Sequence, residues 1–352
     1  MKKISAKHLL AIAVCGLTLA SCGGGGGSGG TPPPPPANPI SMNIYAGTDG
    51  KNEPVVVAYI NGQPVKMVLD TGESGVLVGK GVVNLSQTAY TSQTFSATSG
   101  DGTTVSGTVA IATVCPTSST AGCVTMPIAV SSSTATSKEI KGIFGMDCGN
   151  NTVAPNAFCY LYYLWKQNPS YSSYSLSFNV PLNTFYYAPS ITTPIGTITY
   201  GSFTANNLIS YSLLTANVIY GNSLTIPTMF DTGTNAIILP RSVLQAEIPN
   251  FSVSSDENGC GIPGEVQGGF NLYYQIPYAS SNSMFSTTFT TEPTSNMCSV
   301  FLNNPLILEG WTGDLGSIGF NIGATLGLSE MLRHSYIWIL GKKGFVKYVG
   351  IE

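Results

Sequence analysis

Two short stretches carry a residue order that can do chemistry. Asp70-Thr71-Gly72 lies between the apolar runs Met67-Val68-Leu69 and Val76-Leu77-Val78. Asp231-Thr232-Gly233-Thr234 lies between Met229-Phe230 and Ile237-Ile238-Leu239. A carboxylate on a tight turn between buried strands is costly unless hydrogen bonds satisfy it. Thr supplies a hydroxyl, and Gly lets the backbone turn sharply and bring its N–H close. Finding the arrangement twice implies that Asp70 and Asp231 are brought face to face. Two such groups in a poorly solvated site cannot both ionise readily, so they share a proton. One is then an acid while the other is a base, which suffices to activate a water against an amide carbonyl. That chemistry needs no metal, no cofactor and no nucleophilic side chain. The pair titrates as a unit, so neither aspartate has a separate role at this level.

The elements that position the pair read as short strands. Residues 54–60, a turn at Asn61-Gly62 and residues 65–69 predict a β-hairpin feeding Asp70. Residues 95–114 predict a second hairpin, broken at Ser99-Gly100-Asp101-Gly102. Residues 141–146 predict a short buried strand ending in Gly, and residues 224–230 lead into Asp231. Helical turns are expected near 160–166, 242–248 and 329–334. No long 3.6-residue periodicity appears, so the class is all-β. An internal repeat organises the rest. Aligning Asp70 with Asp231 also aligns Ser74 with Asn235, Val76-Leu77-Val78 with Ile237-Ile238-Leu239, Lys80 with Arg241, and Val82-Val83 with Val243-Leu244. Each copy is followed later by a Gly-ended apolar stretch, Ile143-Phe144-Gly145 and Thr325-Leu326-Gly327. Two similar lobes follow, residues 41–188 and 189–352. The Tyr-rich region 160–187 is expected to pack between them.

The chain has 352 residues, 43% hydrophobic and only 9% charged, with 40 Gly and 22 Pro, a composition suited to many strands and turns. Its formal charge of −3 includes three leader lysines, so the remainder is more acidic and nucleic acid is not an expected partner. Residues 1–21 have a basic start, Lys2, Lys3 and Lys7, and an apolar run too short to span a membrane comfortably. They end in Leu19-Ala20-Ser21 before Cys22, which resembles a bacterial lipobox and implies cleavage there and acylation of Cys22. Residues 22–40 form a Gly-rich then Pro-rich tether. Gly23 after the cysteine favours the outer membrane of a Gram-negative bacterium. With Cys15 removed and Cys22 acylated, Cys115, Cys123, Cys148, Cys159, Cys260 and Cys298 remain, and an exported chain can oxidise them. Nearest neighbours would pair as Cys115–Cys123, Cys148–Cys159 and Cys260–Cys298, although sequence alone leaves the connectivity open. A metal site would need a C-x-x-C spacing or a nearby His, and neither is present.

At these residues the sequence resembles the pepsin-like aspartic peptidases, in particular bacterial lipoprotein members of unassigned function. Asp70-Thr71-Gly72 and Asp231-Thr232-Gly233-Thr234 match the family's two catalytic motifs. Ile143-Phe144-Gly145 and Leu326-Gly327 match its bracing strands, and residues 174–178 and 196–201 look like its lobe crossover. Cys260–Cys298 sits where members often carry a second-lobe disulfide. The resemblance implies a bilobal acid-protease fold, two β-barrel-like lobes with a cleft between them. It further implies an exported, lipid-anchored, monomeric endopeptidase that takes an extended polypeptide against the 95–109 hairpin. Asp70 and Asp231 would be catalytic. Thr71, Gly72, Thr232, Gly233 and Thr234 would support them, with Gly100, Asp101 and Gly102 at the flap tip and no metal or cofactor. The chain departs from the pattern in four places. Glu73 replaces a hydroxyl residue, Leu77 replaces a common Trp, no Tyr stands near the flap tip, and Leu328 replaces a common Asp. Leu328 is neutral for the chemistry, but Glu73 and the missing flap Tyr make an inactive pepsin-fold lipoprotein that binds a polypeptide or glycan a second expectation, and the polar, low-charge composition makes an adhesin-like shell protein a third. Only two histidines occur, His8 and His334. A Ser-His-Asp or Cys-His enzyme would have to use His334, and a His-based zinc site is not available.

Overall fold

A computed structural model describes residues 39–46, 54–98, 104–133, 140–147, 159–168, 173–177, 194–203, 205–211, 215–221, 223–234, 237–247, 250, 252–253, 266–267, 271–290, 307–309, 323–331, 333–340 and 346–351. The first half begins with β1 (Ile40–Ala46), β2 (Pro54–Ile60), β3 (Gln63–Ser74) and β4 (Val76–Val78). It continues with β5 (Tyr90–Thr98), β6 (Thr104–Cys115), β7 (Val124–Ser131), β8 (Gly142–Asp147) and helix α1 (Tyr160–Gln167). β2 and β3 form the predicted hairpin, with Ile60 opposite Gln63. The turn works because Asn61 and Gly62 both take left-handed backbone angles, φ 48° and 77°, which match the twist of the strands they join. β5 and β6 form the second hairpin, paired from Thr98 opposite Thr104. Its tip, with Gly100, Asp101 and Gly102, lies outside the described residues.

β9 (Ser173–Ser177), β10 (Pro194–Gly201) and β11 (Leu208–Ser210) precede the second half. That half holds β12 (Thr215–Tyr220), β13 (Leu224–Asp231), β14 (Ile237–Leu239), helix α2 (Arg241–Glu247), β15 (Ser252–Val253) and β16 (Val266–Gln267). It then holds β17 (Asn271–Pro277), β18 (Met284–Thr290), β19 (Ile307–Glu309), β20 (Ala324–Gly327) and the short helix α3 (Leu328–Met331). β21 (Ser335–Leu340) and β22 (Val346–Ile351) close the chain's described part. The duplication is visible in the pairing. β3 runs parallel to β8 with Asp70 opposite Gly145, and β13 runs parallel to β20 with Asp231 opposite Gly327. β4 lies parallel to β7 and antiparallel to β8, as β14 lies parallel to β19 and antiparallel to β20.

One thirteen-stranded sheet, ordered β11-β22-β21-β9-β10-β1-β2-β3-β8-β4-β7-β6-β5, carries the first half and the end of the chain. A seven-stranded sheet, β18-β17-β12-β13-β20-β14-β19, carries the second. The strands expected to form the crossover do so: β9 pairs with β10 on one side and with β21 on the other. The architecture is all-β with short helices. Around α1, Tyr160 is fully buried against Phe144 and Tyr200, with ring centroids 5.3 and 5.4 Å away. Its hydroxyl donates to Gly122 O at 2.7 Å, which satisfies the buried phenol. In the second half Phe230 packs on Tyr211 and Tyr336, and Tyr336 on Trp338.

Three expectations change in detail. Asp70 does not sit on the turn itself. β3 runs past it to Ser74, the register with β8 shifts between the two, and the turn falls at Gly75, whose φ of 87° suits glycine. In the second copy β13 ends at Asp231 and the turn follows at once. The repeat at Lys80 and Arg241 holds in sequence only: Arg241 opens α2, whereas residues 80–83 form a turn. The third helical stretch is shorter and earlier than 329–334, because Arg333 N–H already bonds Glu330 O as a turn at 3.0 Å. Cys115 and Cys123 are joined by a disulfide, and Cys159 is disulfide-bonded as well. Cys22, Cys148, Cys260, Cys298, the leader and the tether to residue 38 lie outside the described residues, as does the point expected to divide the lobes.

Candidate active site

β3 and β13 deliver the two Asp-Thr-Gly loops to each other, and the threonines lock them. Thr71 N–H donates to Thr232 Oγ1 at 3.0 Å, and Thr232 N–H donates to Thr71 Oγ1 at 2.9 Å. The two hydroxyls then donate across the pair, Thr71 Oγ1 to Phe230 O at 3.0 Å and Thr232 Oγ1 to Leu69 O at 2.7 Å. Each hydroxyl thus accepts one bond and donates another, so neither its O–H nor its oxygen is left without a partner in a buried place. Sequence reasoning assigned the threonines a supporting role but missed Leu69 and Phe230. Their carbonyls are the acceptors, and a main-chain acceptor leaves no mark on residue type.

The carboxyl groups are held by the glycines behind them. Gly72 N–H donates to Asp70 Oδ1 and Gly233 N–H to Asp231 Oδ1, each at 2.8 Å. Glycine is required at both places for a second reason. A Cβ on Gly72 would stand 2.7 Å from Asp231 Cγ, and one on Gly233 would strike the Asp70 carboxyl. Each aspartate therefore lies against the other loop's glycine. The two side chains face each other, share a hydrogen bond, and are only 8% and 7% exposed. Burial holds the Asp70 carboxyl well above the usual carboxylate range. The charges of Asp231 and then Glu73 push it the same way, and the Gly72 N–H opposes them.

The third position of each loop differs. Thr234 Oγ1 donates to Asp231 Oδ2 at 2.6 Å, whereas Glu73 offers Asp70 its backbone N–H, 3.0 Å from Oδ1. β8 and the start of α3 hold the loops: Gly145 N–H donates to Gly75 O at 2.9 Å, and Leu328 N–H to Thr234 O at 2.7 Å. A Cβ on Gly145 would lie 2.6 Å from the carbonyl oxygens of Glu73 and Gly75, so β8, which runs on past it to Asp147, must carry glycine there. Leu328 is buried and serves the loop through its main chain, which fits the neutral expectation for that position.

A second polar cluster escaped the sequence reading. Glu330 is fully buried and accepts from Tyr274 Oη at 2.5 Å and from Arg333 Nη1 at 2.9 Å. His334 Nε2 lies 3.4 Å from Glu330 Oε1, and the ring packs edge-on against Phe285 at 5.0 Å. The spacing of Glu330, Arg333 and His334, three and four apart, was the available signal.

No protein-family model matches the chain, and no curated protein matches it significantly. Among solved structures, the crystal structure of aspartic proteinase from Irpex lacteus aligns over 89% of this chain and 97% of that one. The TM-score is 0.60 and the sequence identity 17%. The chain has the bilobal fold of the pepsin-like aspartic proteinases. At that identity the likeness speaks for the fold, and the chemistry must be argued from the site.

Proposed function

We propose that the protein is an aspartic endopeptidase, exported and tethered to a membrane by lipid at Cys22, acting on extended polypeptide. The observation that carries the reading is the facing pair Asp70 and Asp231, buried, hydrogen-bonded to each other and locked by the reciprocal threonine bonds. A single proton on such a pair provides an acid and a base side by side. The base takes a proton from water, the water oxygen bonds to the carbonyl carbon, and the acid gives its proton to the carbonyl oxygen. Breaking the C–N bond then needs a proton on nitrogen, which the newly protonated carboxyl supplies. The β5–β6 hairpin is the edge along which an extended chain would pair by its backbone.

Purified protein is expected to cleave a peptide library somewhere between about pH 3 and pH 7, and Asp231→Asn to lower kcat/KM by a factor on the order of a thousand or more. Retention of full activity by that variant would exclude the mechanism. Glu73, in the place of a hydroxyl, favours a second reading: a catalytically silent pepsin-fold lipoprotein that binds a polypeptide or glycan. That reading requires no cleavage at any pH. A pepstatin-type transition-state mimic would then leave the melting temperature unmoved, whereas the peptidase should be stabilised by it in a way that Asp70→Ala abolishes.

A further inference from the structure

Glu73 stands in the first loop where Thr234 stands in the second. The two loops agree bond for bond up to that residue, since Gly72 and Gly233 each donate to Oδ1 of their own aspartate at 2.8 Å. The third residue breaks the symmetry. The Thr234 hydroxyl, 2.6 Å from Asp231 Oδ2, stabilises a carboxylate there. Glu73 gives Asp70 a backbone N–H and adds a negative charge close by. Among the described residues no hydroxyl is hydrogen-bonded to Asp70. The charged groups acting on Asp70 among the described residues are Asp231, at the end of β13, and Glu73 on its own loop, and both oppose its ionisation. The asymmetry therefore puts the hydroxyl donor on Asp231 and the added negative charge beside Asp70.

Resting on the peptidase reading, we propose that Glu73 is a positioning residue for the shared proton: it keeps that proton on Asp70, leaves Asp231 as the base, and extends the working range toward neutral pH. The cycle balances. Asp231 takes a proton from water as the water oxygen bonds to the carbonyl carbon, and Asp70 gives its proton to the carbonyl oxygen. When the C–N bond breaks, Asp231 passes its proton to the leaving nitrogen, and Asp70 takes one back from the oxygen. One water has been added across the amide, and the proton is again on Asp70 beside Glu73.

The test compares kcat/KM against pH for the native chain, Glu73→Gln and Glu73→Thr. Glutamine removes the charge alone, and threonine restores the arrangement of the second loop. Both variants are expected to move the alkaline limb to lower pH, with threonine moving it further. On that limb kcat/KM should fall roughly three- to tenfold, while the acid plateau stays within about twofold. Alkaline limbs that coincide in all three proteins would overturn the proposal. Carboxyl-¹³C aspartate NMR reads the same point without turnover: Asp70 must titrate at lower pH in Glu73→Gln than in the native chain, and an unchanged titration overturns the inference. Absence of cleavage by the native chain would instead count against the peptidase reading, and the titration would still decide the role of Glu73.

Discussion

Asp70 sits in an environment that opposes its ionised form, and this has a consequence for stability. In the folded chain it keeps its proton at pH values where an unfolded aspartate, with its usual value of 3.8, has lost it. The folded state then binds more protons, so stability falls as pH rises from that value through the raised one. Below the usual value both states are protonated and the penalty vanishes. Asp70→Asn carries no charge in either state. It is expected to melt above the native chain near pH 7 and close to it near pH 3, with the gap opening between, as calorimetry across that range would show. Parallel curves would contradict the burial of the pair. Much of this scale was legible beforehand. The two aspartates, their glycines and their threonines stand out because chemistry and close approach both dictate residue type. The carbonyls of Leu69 and Phe230 do not, because every residue has one. Glu330 carries only a faint mark, Arg333 and His334 three and four residues on, because the Tyr274 hydroxyl that also satisfies it comes from far away in the chain.

At the level of elements, β3 and β13 are held together by four bonds that all pass through two hydroxyls. Thr232→Ala removes the acceptor of the Thr71 N–H and the hydroxyl donor to the Leu69 carbonyl, both in a buried place. It is expected to cost about 2–4 kcal/mol in denaturant unfolding, with activity falling in step, while Thr232→Ser keeps most of both. Equal stability for the two variants would mean that the lock is not what joins the loops. The hairpins were readable because a left-handed Asn61-Gly62 pair announces its turn and the alternation on either side announces its strands. The position of the first turn was not. Gly75 lies beyond Glu73 and Ser74, and nothing in the residue order said that β3 would continue past its aspartate before turning. Likewise Lys80 and Arg241 have alike neighbours, Val82-Val83 and Val243-Leu244, and only the second set coils into a helix. Both sets bury apolar side chains, and the pattern requires no more than that.

For the whole molecule, the duplication predicted two similar halves, and the fold has them. What the sequence could not show is how the halves are stitched. β1 pairs with β10 and β9 with β21, so the sheet that begins near residue 40 is finished by strands from the far end of the chain. Pairings at such separations follow from tertiary packing rather than from any local signal. The proposed anchor belongs to this scale too. Cys22→Ala is expected to move the protein from the membrane fraction to the soluble fraction and to abolish incorporation of labelled fatty acid, with peptide cleavage unchanged. Retention in the membrane fraction without label would point to another means of attachment. The late arrival of β20 has a bearing on synthesis itself. On the peptidase reading, a chain emerging from the ribosome carries both acids well before Gly327 comes to lie beside Asp231. A chain that stops short of β20 is therefore expected not to cut, because its Asp231 loop lacks the strand that lies beside it in the fold.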